Sequence, residues 1–185
     1  MQTEIIISGF GGQGALFAGQ LMAYAALDAG RQVTWIPSYG PEMRGGTAHC
    51  TVIISDEEIG SPVVRHPRAA IVMNIPSLDM YEGLLKPGGV LVVNSSLVDR
   101  LPTRKDLDVV LLPANELAEE LGDKRMANVV LVGGLLQRLP VLTQEEIRTS
   151  LRKNLPAHRR NLLEANLKAL ARGAEGAAQA AGVRG

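Results

Sequence analysis

A glycine-rich stretch, Ser8-Gly9-Phe10-Gly11-Gly12-Gln13-Gly14, constrains this chain more than any other. It follows the apolar Ile5-Ile6-Ile7 and precedes a helix-like run from Ala15 to Ala29. Strand, glycine loop and helix, in that order, is the context in which G-x-G-x-x-G carries meaning, and Gly9, Gly11 and Gly14 fit it. Glycine permits positive φ and lets backbone come close to a ligand. The amides that open the following helix favour an anion such as a phosphate. The same loop can also be a plain tight turn, so the motif alone does not fix a ligand.

The rest of the chain alternates strand-like and helix-like segments. Thr3 to Ile7, Gln32 to Ile36, Ala48 to Ser55, Ala69 to Met73, Val90 to Val93 and Asp108 to Leu112 read as strands. Helices are expected from Gln13 to Ala29, from Ser77 to Leu85 and from Pro113 to Leu121. A fourth runs from Val129 to Leu139, with Asn128 as its cap. Thr143-Gln144-Glu145-Glu146 is a capping box that opens another helix, and a last one spans Ala157 to Arg172. This order implies an α/β, Rossmann-like fold: a mostly parallel sheet, helices on both faces, and extra C-terminal helices. Residues 1–172 form one domain in this reading, and the alanine- and glycine-rich 173–185 a frayed or disordered tail. The first helix is apolar nearly all round, which hints at a partner subunit over its outer side.

In such folds ligands bind outside the carboxyl ends of the strands. The glycine loop, the stretch from Ser38 to Arg44, Asn74 and Asn94-Ser95 all follow expected strands and should gather along one edge. The segment Pro37-Ser38-Tyr39-Gly40-Pro41-Glu42-Met43-Arg44-Gly45-Gly46 is long for a connection in a compact domain, which marks it as functional or disordered. Arg44, between glycines, can clamp a phosphate or carboxylate with two parallel hydrogen bonds; as a plain surface arginine it would do nothing.

Composition excludes several classes. Nineteen basic and nineteen acidic residues cancel, which argues against nucleic acid or an acidic membrane as the main partner. With Cys50 the sole cysteine, an internal disulfide or a four-cysteine iron–sulfur site is impossible here. His49, His66 and His158 show no ligand spacing, so no metal site is expected. Residues 5–27 carry no charge, but the loop glycines and Gln13 interrupt them, so a membrane helix or signal peptide is not expected. These features suit a cytoplasmic protein. A nicotinamide-binding domain places an acid about 20 residues after the glycines, and Ile36-Pro37-Ser38 offers none. No catalytic residue stands out. The residues alone reach an α/β domain for a phosphate-bearing ligand. A free-standing NAD- or S-adenosylmethionine-dependent enzyme and a ligand-free structural subunit stay open.

Three stretches together resemble the gamma subunit of 2-oxoacid:ferredoxin oxidoreductases: Ile7 to Gly14, Pro37 to Gly46 and Ile54-Ser55-Asp56. The likeness continues through Pro76-Ser77-Leu78, Lys86-Pro87-Gly88-Gly89 and Asn94-Ser95-Ser96. Its wording is closer to the 2-oxoglutarate and branched-chain types than to the pyruvate type. The resemblance implies a subunit of a complex that converts a 2-oxoacid, coenzyme A and oxidised ferredoxin into acyl-CoA, carbon dioxide and reduced ferredoxin. It implies alpha and beta subunits as partners, with a ferredoxin-like delta subunit as a further candidate. Thiamine diphosphate, Mg and iron–sulfur clusters then belong to those partner chains. Coenzyme A is the ligand implied for this chain, with phosphates near Gly11, Gly12 and Gln13. Asn94 and Asn128 match positions where that family has asparagines near its coenzyme A.

Overall fold

The structure, a computed structural model, describes residues 1–38 and 47–180. Strand β1 (Gln2–Phe10) lies in the middle of the sheet, because Ile5 and Ile7 are fully buried on one face and Ile6 on the other. Around it stand β2 (Gln32–Ser38), β3 (Thr47–Ser55), β4 (Ala69–Val72), β5 (Val90–Asn94) and β6 (Asp108–Leu112), in the order β2-β3-β1-β4-β5-β6. β1, β4, β5 and β6 pair in parallel, in keeping with the continuous apolar runs of β4 and β5, the pattern of strands covered on both faces. β3 runs against both β1 and β2. β2 and β3 follow one another in the chain and pair antiparallel, so β2 returns to the direction of β1.

The two faces are covered unequally. Helices α1 (Ala15–Asp28), α3 (Ala114–Glu120), α4 (Ala127–Arg138), α5 (Gln144–Asn154) and α6 (Leu163–Gln179) share the larger core with Ile5, Ile7, Ile71 and Val92. On the other face α2 (Ile75–Tyr81) packs Leu78 and Tyr81 on Ile6, Val72 and Val93. Asn74 caps α2: its Oδ1 accepts from the Ser77 amide at 2.8 Å. The Thr143 capping box is present and starts α5.

Three expectations change. The apolar breadth of α1 is taken up in part within the chain, since α5 packs across it and Lys153 and Asn154 both reach Asp28, while Tyr24 and Leu27 stay exposed. Asn128 does not cap α4. A short 3₁₀ turn, Lys124–Met126, capped by Asp123, runs straight into the helix and places Asn128 at its second residue. The chain is also ordered beyond residue 172. α6 continues to Gln179 because its small residues allow close approach: a Cβ at Gly173 would collide with the Val130 carbonyl, and one at Gly133 with the Leu170 carbonyl. The two helices meet backbone to backbone, with Ala174 and Ala177 buried. Residues 181–185 lie outside the described residues. Among those described, no helix is long and apolar enough to cross a membrane.

Candidate functional site

The carboxyl edge of the sheet gathers the glycine loop, the ends of β2, β4 and β5, and the first turns of α1, α2 and α3. The loop itself is a reverse turn. The Gln13 amide donates to the Phe10 carbonyl at 3.1 Å, and Gly12, at φ 92°, takes the third position, where a positive φ calls for glycine. The Gln13 side chain closes the same turn, accepting from the Phe10 amide at 2.6 Å and donating to the Met73 carbonyl at 3.4 Å. Gln13 thus shapes the loop through its side chain.

The glycines divide by role. A Cβ at Gly9 would stand 2.6 Å from the Gln13 side-chain Oε1 and 2.9 Å from Met73 Cβ, so Gly9 serves packing. Gly14, at φ 80°, caps α1, and a Cβ there would collide with Asn128. Above Gly12 a Cβ meets nothing within 4 Å among the described residues. Gly11 is exposed. Among the described residues, open space therefore lies over Gly12, beside an α1 N-terminus with no side-chain cap and no acid in its first turn. The amides of such a first turn lack intrahelical partners and carry partial positive charge.

Two cavities meet there. One, of about 270 Å³, runs from Gly12, Gly14 and Phe17 to Arg125, Asn128 and Arg159. The other, of about 230 Å³, runs from Gly12 and Gln13 to Met73, Asn94, Asn115, Lys124 and Asn128. Among the described residues, no acidic one lines either. Asn128, 5% exposed, stands between them and donates from Nδ2 to the Gly14 carbonyl at 3.1 Å. Arg125 pairs with Asp123 at 2.7 Å, and its hydrogen bond holds the Asp123 carboxyl below the usual carboxylate range.

Asn94 lies at the second cavity but is engaged in holding the fold. Its Oδ1 accepts from the Ser96 amide at 3.3 Å and the Ala114 amide at 3.2 Å, and its Nδ2 donates to Asn115 at 3.0 Å. It ties the end of β5 to the start of α3. Asn115 follows in the same cavity, and its Nδ2 makes no bond among the described residues. Arg44 lies outside the described residues. The ends of its loop, Ser38 and Thr47, stand at this edge, and Thr47 pairs in register with Phe10. The structure therefore brings Gly12, Gln13, Asn94 and Asn128 together, with Gly11 at the rim. Sequence reading missed Asn115, Lys124, Arg125 and Arg159. Lys124-Arg125, two adjacent cations at the start of a helix, was the one available signal. Among the described residues no group of acidic, histidine or cysteine side chains is arranged to hold a metal.

The family model for pyruvate ferredoxin/flavodoxin oxidoreductase matches residues 4–176. The ketoisovalerate oxidoreductase subunit VorA of Methanothermobacter marburgensis is 37% identical over 175 residues, covering 94% of this chain and 36% of its own. This chain thus spans about a third of that relative's length. The 2-oxoglutarate synthase subunit KorC of Methanocaldococcus jannaschii is 34% identical over 179 residues, covering 95% of this chain and 94% of its own. Among solved structures, the gamma subunit of a keto/oxoacid ferredoxin oxidoreductase from Geobacter sulfurreducens aligns with a TM-score of 0.83 at 34% identity, over 96% of this chain and 99% of that one. A 2-oxoglutarate:ferredoxin oxidoreductase from Magnetococcus marinus, with 2-oxoglutarate, coenzyme A and succinyl-CoA bound, shares the fold: TM-score 0.86 at 22% identity, over 98% of this chain and 32% of that one.

Proposed function

The chain belongs to the pyruvate ferredoxin/flavodoxin oxidoreductase family, and on that premise we propose that it is the gamma subunit of a 2-oxoacid:ferredoxin oxidoreductase that takes part in binding coenzyme A. The observation that carries this reading is that, among the described residues, the ground over Gly12 is open, set against the uncapped start of α1 and lined by cations without acids. A pyrophosphate needs backbone approach, aligned amides and positive charge, and the loop offers all of these together. The Asn115 Nδ2 is free to meet an amide-bearing arm, since a carboxamide donates and accepts at once.

The complex in this proposal includes alpha and beta chains that hold thiamine diphosphate and Mg, with iron–sulfur clusters on chains other than this one. Decarboxylation and electron transfer to ferredoxin take place there. This chain's own residues bind and orient: Gly12 and the first turn of α1 take the phosphates, Asn128 fixes the loop, and Asn94 holds Asn115 in place. The substrate proposed first is 2-oxoglutarate, supported by the near full-length likeness to KorC; the likeness to VorA supports a branched-chain 2-oxoacid as the second reading. Cytoplasmic placement belongs to the same proposal. Calorimetric titration of the assembled complex with coenzyme A and with NAD tests the ligand. Binding of coenzyme A that is lost on Gly12→Val supports the reading. Tight binding of NAD and none of coenzyme A restores the nicotinamide alternative. Turnover with 2-oxoglutarate against 2-oxoisovalerate decides the substrate.

A further inference from the structure

Beyond the phosphate end of the site, a third cavity of about 280 Å³ continues along α1. It shares Phe17, Leu155 and Arg159 with the first and ends at Tyr24 and Pro156. Tyr24 stands nine residues after Ala15, about 14 Å along the helix axis at the usual rise per residue. Tyr24 is 42% exposed beside the exposed Pro156, leaving an apolar wall where a base can lie.

Arg159 stands where the two cavities join. It rises from the 3₁₀ turn Ala157–Leu162, which is anchored by the buried Leu155 before it and by the packed Leu162 at its end. Neither cavity has an acidic lining residue, and Arg159 pairs with no carboxylate among the described residues. Arg125 and Lys124, by contrast, already hold Asp123 and Glu119. A guanidinium without a counter-ion, between a pyrophosphate site and an aromatic wall, is placed for an anion between pyrophosphate and base.

We infer that Arg159 recognises a phosphomonoester on the ribose of the bound nucleotide, with the base lying in the Tyr24–Pro156 cavity. This makes Arg159 a specificity residue for coenzyme A over its 3′-dephospho form, and it rests on the coenzyme A reading above. The arm beyond the pyrophosphate then runs the other way, past Asn128 toward Asn115. A free phosphate on the ribose is the only chemical difference between the two ligands, so the pair isolates the contact.

The test titrates coenzyme A and 3′-dephospho-coenzyme A into assembled complexes carrying the wild-type chain, Arg159→Gln or Arg160→Gln. Arg160 is a neighbouring cation that lines none of these cavities. The expected result is that Arg159→Gln weakens coenzyme A by about tenfold, the scale of one lost charge-assisted hydrogen bond, and leaves the dephospho form unchanged. Arg160→Gln should leave both unchanged. Equal weakening of both ligands by Arg159→Gln, weakening of neither, or an equal effect of Arg160→Gln would overturn the assignment. Failure of the coenzyme reading looks different: the Gly12→Val complex would then bind coenzyme A as the wild type does.

Discussion

Asn128 and Gly14 are 114 positions apart in the chain, yet the Asn128 amide donates to the Gly14 carbonyl at 3.1 Å. This bond joins the start of α4 to the cap of α1 and sets the height of the glycine loop over the sheet. The Gly14 carbonyl also accepts from the Ala18 amide at 3.0 Å, so losing Asn128 leaves it partnered. Asn128→Ala should therefore cost only about 1 kcal/mol of stability. Its effect on coenzyme A binding should be larger than that, because the loop loses its brace. Urea unfolding and calorimetry on the same preparation check the two effects against each other.

The crossing of α4 and α6 should tolerate no side chain at its glycines. Gly173→Ala sets a methyl against the Val130 carbonyl, and rigid backbone cannot give way as a side-chain tip can. Overpacking of this kind costs about 1–3 kcal/mol. Gly60→Ala serves as the control, since a Cβ there meets nothing within 4 Å and no positive φ is involved. Urea midpoints for the two variants should separate clearly; equal midpoints would show that α6 does not lie against α4.

Cys50 is fully buried, and burial pushes its thiol up to about 11. Native protein at pH 8 should resist iodoacetamide, with alkylation appearing only on unfolding. The raised value also has a sign. Below the ordinary value of 9.0 the thiol is protonated in both states, and its contribution is fully present. Between that value and about 11 the unfolded chain loses the proton and the folded one keeps it, so stability falls as pH rises. Cys50→Ala should fall less steeply over the same range, as followed by urea midpoints.

Much of the frame was legible because it depends on local pattern. The buried strands Ala69–Val72 and Val90–Asn94 are continuous apolar runs, and Thr143 with Glu146 announces its own helix. The direction of β3 was also within reach, since the stretch between Ser38 and Thr47 is too short to carry a parallel crossover, which takes about a dozen residues or more. Asn128 and Asp123 compete as helix starters within five residues, and only the 3₁₀ turn decides for Asp123. Gly173 reads as a frayed end because glycine weakens an isolated helix. Its value lies in what the facing helix brings within reach, which is a non-local fact. The same holds for Arg159, whose place beside Phe17 and Leu155 is set by how the α5 corner folds back onto α1. Asn94 shows the opposite limit: its place at the carboxyl edge was legible, but its hydrogen bonds serve the joint between β5 and α3.

Hydrogen–deuterium exchange of the assembled complex, with and without coenzyme A, tests the central claim most directly because it reports location as well as binding. The first-turn amides of α1 have no partner within the helix and exchange readily unless a ligand covers them. The account predicts that coenzyme A slows exchange at Gly12 to Phe17 and at Lys124 to Asn128, with NAD causing no change there. Protection confined to other subunits, with these segments exchanging as before, would contradict it.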